Sequence, residues 1–117
     1  MPRDYKVSLA DILEAIGWIQ SFVAGMTLDR FKTDRKTFDA VIRNLEVIGE
    51  AVKNVPEHVR AKHAVIPWQR IAGLRDILVH HYFGVDADIV WDLVQNKVPE
   101  LSKQIQTILN EPSEEPP

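Results

Sequence analysis

Gly73-Leu74-Arg75-Asp76-Ile77-Leu78-Val79-His80-His81-Tyr82-Phe83 carries the densest cluster of titratable side chains in the chain. Its apolar residues recur at helical intervals, so it must both feed a core and present polar groups. On an ideal helix with Arg75 at zero, Ile71, Leu74, Ile77 and Leu78 fall near ~320°, ~260°, ~200° and ~300°. That stripe, centred near ~260°, predicts the buried face. His81, near ~240°, falls inside it and reads as a core-edge or capping histidine. Arg75, Asp76 and His80, near ~0°, ~100° and ~140°, point the other way, which leaves His80 as the histidine for chemistry. Val79 and Phe83 fall near ~40° and ~80° among these polar residues, and Tyr82 falls near ~340° beside Arg75. Apolar residues on that outward face predict a cover, either another helix or a second copy of the chain.

Outward from this stretch the pattern stays helical. Pro67 suits the first turn of a helix from Trp68 to about Phe83, and Gly84 is placed to end it. Asp86 caps a last helix from Ala87 to about Asn110, whose apolar stripe keeps its phase through Pro99 and predicts a kink, not a break. Upstream, Asp34 caps a helix from Arg35 to about Asn54, with Phe38, Val41, Ile42, Leu45, Ile48 and Val52 on its buried stripe. Gly49 lies beside that stripe. A glycine there costs about 1 kcal/mol against alanine, which points to a close helix approach. Glu46 and Glu50 flank the stripe and read, on residue type alone, as solvated charges.

Ser8, with Asp11 after it, reads as the N-cap of a first helix that runs to about Val23 and stops at Ala24-Gly25. Thr27 to Lys32 and Glu57 to His63 read as short helical connectors, with Pro56 closing the helix before the second. His58 and His63 are separated by ~140° on a helix, which is poor metal-ligand geometry, so both read as surface histidines. No period-2 alternation or hairpin turn appears. The predicted fold is an all-α bundle of four main helices with one or two short extra helices.

Composition narrows the function. The chain has 117 residues, 45% hydrophobic and 26% charged, which suits one soluble globular domain. No apolar run approaches the ~18 residues of a membrane span, and the N-terminus lacks a signal-peptide core, so a cytoplasmic location is expected. The absence of cysteine excludes disulfides, thiolate metal sites and cysteine nucleophiles. A formal charge of −3 argues against bulk electrostatic capture of nucleic acid. Without Glu111, Glu114 and Glu115 the formal charges balance, so any phosphate-binding surface is a local cluster. The domain is expected over residues 1–110, followed by a disordered acidic, proline-rich tail over 111–117.

Arg75-x4-His80-x-Tyr82 resembles the Arg-x4-His-x-Tyr motif of the HepT-like toxins of the HEPN superfamily of helical ribonucleases. The flanks agree in order. Ile48-Gly49-Glu50-Ala51 resembles that family's Ile-Gly-Glu-Ala helix, and Pro67 to Asp76 resembles its approach to the motif. Tyr82-Phe83-Gly84-Val85-Asp86, Ile89-Val90-Trp91 and Val98-Pro99-Glu100-Leu101 continue the match. The resemblance implies a HEPN-like bundle acting as the toxin of a type VII-like toxin–antitoxin pair. It implies a homodimeric, metal-independent endoribonuclease without a cofactor, partnered by a nucleotidyltransferase antitoxin of the minimal (MNT) type. Arg75 and His80 would be catalytic and Asp76 supporting, and Tyr82 would receive AMP from the antitoxin, silencing the toxin.

The chemistry suits those residues. RNA carries its own nucleophile in the 2′-hydroxyl, so the protein needs a proton carrier and a cation. A histidine with an ordinary pKa near ~6.5 supplies the first. Arg75 supplies the second. Because Arg75 and His80 diverge by ~140° on one helix, two copies around a cleft would converge better than one. The alternative is a non-catalytic HEPN module that binds nucleotide or a partner nucleotidyltransferase with the same residues.

Overall fold

The computed structural model describes residues 4–112. The chain folds as α1 (Tyr5–Val23), α2 (Leu28–Thr33), α3 (Arg35–Val52), α4 (Glu57–Lys62) and α5 (Trp68–His80), then a 3-10 turn (Tyr82–Gly84). It continues through α6 (Ala87–Asp92), a π-helical turn (Leu93–Lys97) and α7 (Val98–Leu109). Among the described residues there is no strand, and the all-α, HEPN-like bundle expected from the sequence is what forms. None of the described helices is long and apolar enough to cross a membrane.

Helix α3 is the centre of the bundle, with α1 and α5 packed against it, α7 packed on α1, and α2 joining α3 to α6. Leu9, Ile12, Ile16 and Ile19 of α1 meet Val41, Ile42, Leu45, Ile48 and Val52 of α3 and Val94, Val98, Leu101 and Ile105 of the last helix in one buried core. Phe31 of α2 is fully buried, with Phe38 and Trp91 at ring-centroid distances of 5.7 and 5.2 Å.

The caps follow local chemistry. Asp34 accepts from the Thr37 N–H at 3.0 Å and Asp86 from the Asp88 N–H at 2.8 Å. Gly25 adopts φ +76° after α1, the left-handed conformation in which glycine carries no Cβ penalty. Arg60 closes the other end of α3, donating to the carbonyls of Val52 and Val55 at 2.7 and 3.0 Å, acceptors that a helix terminus leaves without intrahelical partners. The last helix runs continuously through Pro99. Proline lacks an N–H and crowds the preceding turn, and the π-turn at Leu93–Lys97 absorbs the misfit.

Three expectations change. Ser8 does not cap α1: Asp4 does, accepting from the Lys6 N–H at 2.9 Å, so the helix starts a turn earlier and carries Ser8 into the core. His63 is not a surface residue. Its side chain is 16% exposed and lies 2.9 Å from Glu111, which also pairs with Lys62 at 3.2 Å. Burial opposes ionisation of Glu111, yet the Lys62 contact and the His63 charge hold its carboxyl below the ordinary value. Of the tail expected over 111–117, residues 113–117 lie outside the described residues.

The third change concerns α5, which ends at His80 and not at Phe83. Its packed residues are Trp68, Ile71, Leu74, Arg75 and Leu78, a face centred near ~325° on the same helical wheel, about 65° round from the apolar stripe. Ile77 is therefore 53% exposed and His81 is exposed, contrary to the core-side placement of both. The cause is Gly49. Without a side chain there, α5 approaches α3 on the Arg75–Ile71 side, and the rest of α5 turns with it.

Candidate active site

Two polar clusters lie along the α3–α5 seam. Gly49 of α3 faces Ile71 and Arg75, while Arg35, Phe38 and Asp39 face Tyr82, so α3 runs antiparallel to α5 and its following turn. The C-terminal end of α3 thus serves the first half of the motif, and its N-terminal end serves the second.

The first cluster is built around Arg75, whose side chain is 34% exposed. Its Nε lies 3.3 Å from Glu50 Oε2, and its Nη1 donates to Asp76 Oδ1 at 3.2 Å. Lys53 stands 3.7 Å from both Glu50 and Asp76, closing a ring of two cations and two anions. The hydrogen bond from Arg75, then the charge of Lys53, hold the Asp76 carboxyl below its ordinary 3.8. A guanidinium has five donors, so two carboxylates can fix its plane and leave donors for a further oxyanion. Asp76 is thereby brought to Arg75. Glu50 is more than the solvated charge its residue type suggested.

His80 ends α5 with its imidazole exposed, on the side of the helix away from Arg75. Tyr82 is elsewhere than the helical wheel put it. Because α5 stops at His80, Tyr82 sits in the 3-10 turn, where its phenol donates to Asp39 Oδ1 and accepts from Arg35 Nη2. The Arg35 guanidinium lies 4.9 Å from the Tyr82 ring centroid and 3.3 Å from Asp39. The hydrogen bond to Asp39, with desolvation adding to it, raises the Tyr82 pKa above its ordinary 10.0 against the opposing charge of Arg35. Val79 and Phe83 are exposed, Phe83 by 97%, and no helix among the described residues covers them.

Residues 12–108 match the sequence profile of the family described as ribonuclease HepT-like. The chain belongs to the HepT-like ribonuclease family. It is 51% identical to "Putative RNase MJ0127" of Methanocaldococcus jannaschii, over 95% of this chain and 93% of that one. It is 44% identical to "Putative RNase TTE0752" of Caldanaerobacter subterraneus subsp. tengcongensis over 92% and 94% of the two chains. It is also 43% identical to "Probable ribonuclease HepT" of Thermococcus cleftensis over 92% and 98%. No solved structure matches. The whole HepT-like motif, from Arg75 to Tyr82, lies inside the matched segment.

Arg35 and Asp39 were missed in the sequence of this HepT-like chain. They carried one local signal, a cation and an anion four residues apart on a helix. Nothing local tied them to a tyrosine more than 40 residues away. Among the described residues, no group of three or more His, Asp or Glu side chains is arranged to hold a metal ion.

Proposed function

We propose that this HepT-like protein is a metal-independent endoribonuclease, the toxin of a cytoplasmic toxin–antitoxin pair, with Arg75 and His80 as its catalytic residues. The observation that carries the reading is the held Arg75. An arginine that Glu50 and Asp76 orient from two sides can meet a phosphate without a further loss of side-chain freedom.

In the reaction, the RNA 2′-hydroxyl attacks the adjacent phosphorus. The bond to the 5′-oxygen breaks, leaving a 2′,3′-cyclic phosphate and a 5′-hydroxyl. The His80 imidazole exchanges a proton with the attacking or leaving oxygen. Arg75 stabilises charge on the phosphoryl oxygens. Arg75 and His80 diverge on α5, so the phosphate is gripped between two copies of the chain, one offering Arg75 and the other His80. The exposed Val79 and Phe83 support such a pairing, since both stand on the side of the motif that the fold leaves open.

The antitoxin is a nucleotidyltransferase of the minimal type, and it silences the toxin by transferring AMP to Tyr82. The test uses protein free of the antitoxin and of AMP. It should cleave RNA in EDTA, and His80→Ala should not; equal cleavage by His80→Ala, or none by the unmodified protein, removes the assignment. In the second arm, the nucleotidyltransferase and ATP should add AMP mass to the wild type and none to Tyr82→Phe.

One feature favours a second reading. Arg75 is engaged by two carboxylates, so the cluster also suits a non-catalytic module that binds nucleotide or its partner. That module would bind RNA or the nucleotidyltransferase and leave RNA intact in the same assay.

A further inference from the structure

We propose that Arg35 and Asp39 form the acceptor site for nucleotidyl transfer to Tyr82, with Asp39 taking the phenol proton and Arg35 holding the incoming α-phosphate. This rests on the reading of Tyr82 as the AMP acceptor and adds the residues that make it reactive.

Three observations converge on it. Asp39 accepts the phenol hydrogen and Arg35 donates to the same oxygen, so the reacting atom is held between a base and a cation. Both side chains come from α3 and are more than half exposed, at 51% and 66%, so neither is a core residue that happens to need a partner. Beside them opens a cleft of about 180 Å³ lined by Lys32, Thr33, Arg35, Phe38, Tyr82 and Phe83, among others. Lys32 stands on this cleft paired with Asp88 of α6 at 3.3 Å, a second cation within reach of a nucleotide phosphate.

The step balances. The Tyr82 oxygen forms a bond to the α-phosphorus of a nucleoside triphosphate, the bond to the bridging oxygen breaks, and pyrophosphate leaves. The phenol proton passes to the Asp39 carboxylate. The charge on the transferred phosphate then faces Arg35 and Lys32, at the N-terminal end of α3. The modification therefore acts by filling the surface beside His80, not by direct pairing with Arg75.

The test uses the full chain and adenosine 5′-phosphorimidazolide, a chemical AMP donor that needs no enzyme, with modification mapped separately on Tyr82 and Tyr5. Rates are followed from about pH 6 to about pH 10, up to the ordinary phenol pKa. Wild-type Tyr82 should be modified at least ~tenfold faster than Tyr5 near neutral pH, the gain a positioned base gives. Asp39→Asn should remove that advantage, with the loss shrinking toward pH 10 as the phenol ionises unaided. Arg35→Gln should slow Tyr82 at every pH. Circular dichroism matching the wild type shows that each variant is folded. An Asp39→Asn rate equal to wild type near neutral pH, or an Arg35→Gln rate equal to wild type throughout, overturns the proposal. The same variants with the nucleotidyltransferase and ATP separate the two levels. Modification of wild type and Asp39→Asn at one rate sinks the acceptor site alone, and no modification of wild type sinks the AMP reading with it.

Discussion

A Cβ on Gly49 would stand 2.5 Å from the Cβ of Arg75 and 3.0 Å from the carbonyl oxygen of Ile71. The missing side chain on α3 sets the depth and rotation of α5, and so decides which way the motif faces. A first prediction follows for Gly49→Ala. The clash is with backbone and a Cβ, neither of which can swing away, so overpacking of about 1–3 kcal/mol outweighs the roughly 1 kcal/mol gained in helix propensity. Thermal unfolding should show a Tm lower by several degrees, and RNA cleavage should fall because Arg75 is displaced from Glu50 and Asp76. A Tm equal to or above wild type would contradict the packing account.

The adjacent histidines offer a cleaner contrast. His80 and His81 are both exposed, so alanine at either position should change stability by no more than about 0.5 kcal/mol. Cleavage should drop by at least ~10²-fold for His80→Ala, the range for loss of a proton-transfer group, and stay near wild type for His81→Ala. Equal losses at both positions would mean that the α5 terminus matters for its shape and not for one imidazole.

Asp76 should mark its ion pairs in the acid limb of stability. Its pKa is depressed when folded, so its contribution is full above the ordinary carboxyl value of 3.8 and is lost as pH falls through the lower folded value. The difference in denaturant stability between wild type and Asp76→Asn should be constant at neutral pH and shrink below about pH 4. A difference that grows on acidification would show that Arg75 and Lys53 do not hold the carboxylate.

Tyr82 makes the opposite prediction at the alkaline end. The chain has two tyrosines, so a Tyr5→Phe variant isolates Tyr82 in an absorbance titration. With Asp39 accepting its proton, Tyr82 should ionise above 10.0. A raised folded pKa means its stabilisation is full below the unfolded value and is lost as pH rises through the folded one. Adding Asp39→Asn should move the titration back down, since the carboxylate is the largest cause of the shift. An unmoved midpoint would show that the phenol is not bonded to Asp39.

The elements were legible in local pattern, because helices are local objects. Asp34 and Asp86 cap where their side chains can reach the next turn, and Gly25 stops α1 where only a left-handed residue fits. The stripes on α1, α3 and the last helix are broad enough that each admits one buried face. Gly49 as a point of close approach was legible for the same reason.

The rotation of α5 was decided elsewhere. Its apolar stripe and its packed face differ by about 65°, since periodicity reports which side of an isolated helix is apolar but not where a neighbouring backbone comes closest. The end of α5 at His80, which takes Tyr82 off the helix, and the tyrosine's partnership with Arg35 and Asp39 were also beyond local pattern. The three residues lie 43 and 47 positions apart and meet because α3 returns antiparallel to α5. Tertiary packing brings the end of one helix to the start of another, and there the motif's tyrosine meets a carboxylate and a guanidinium.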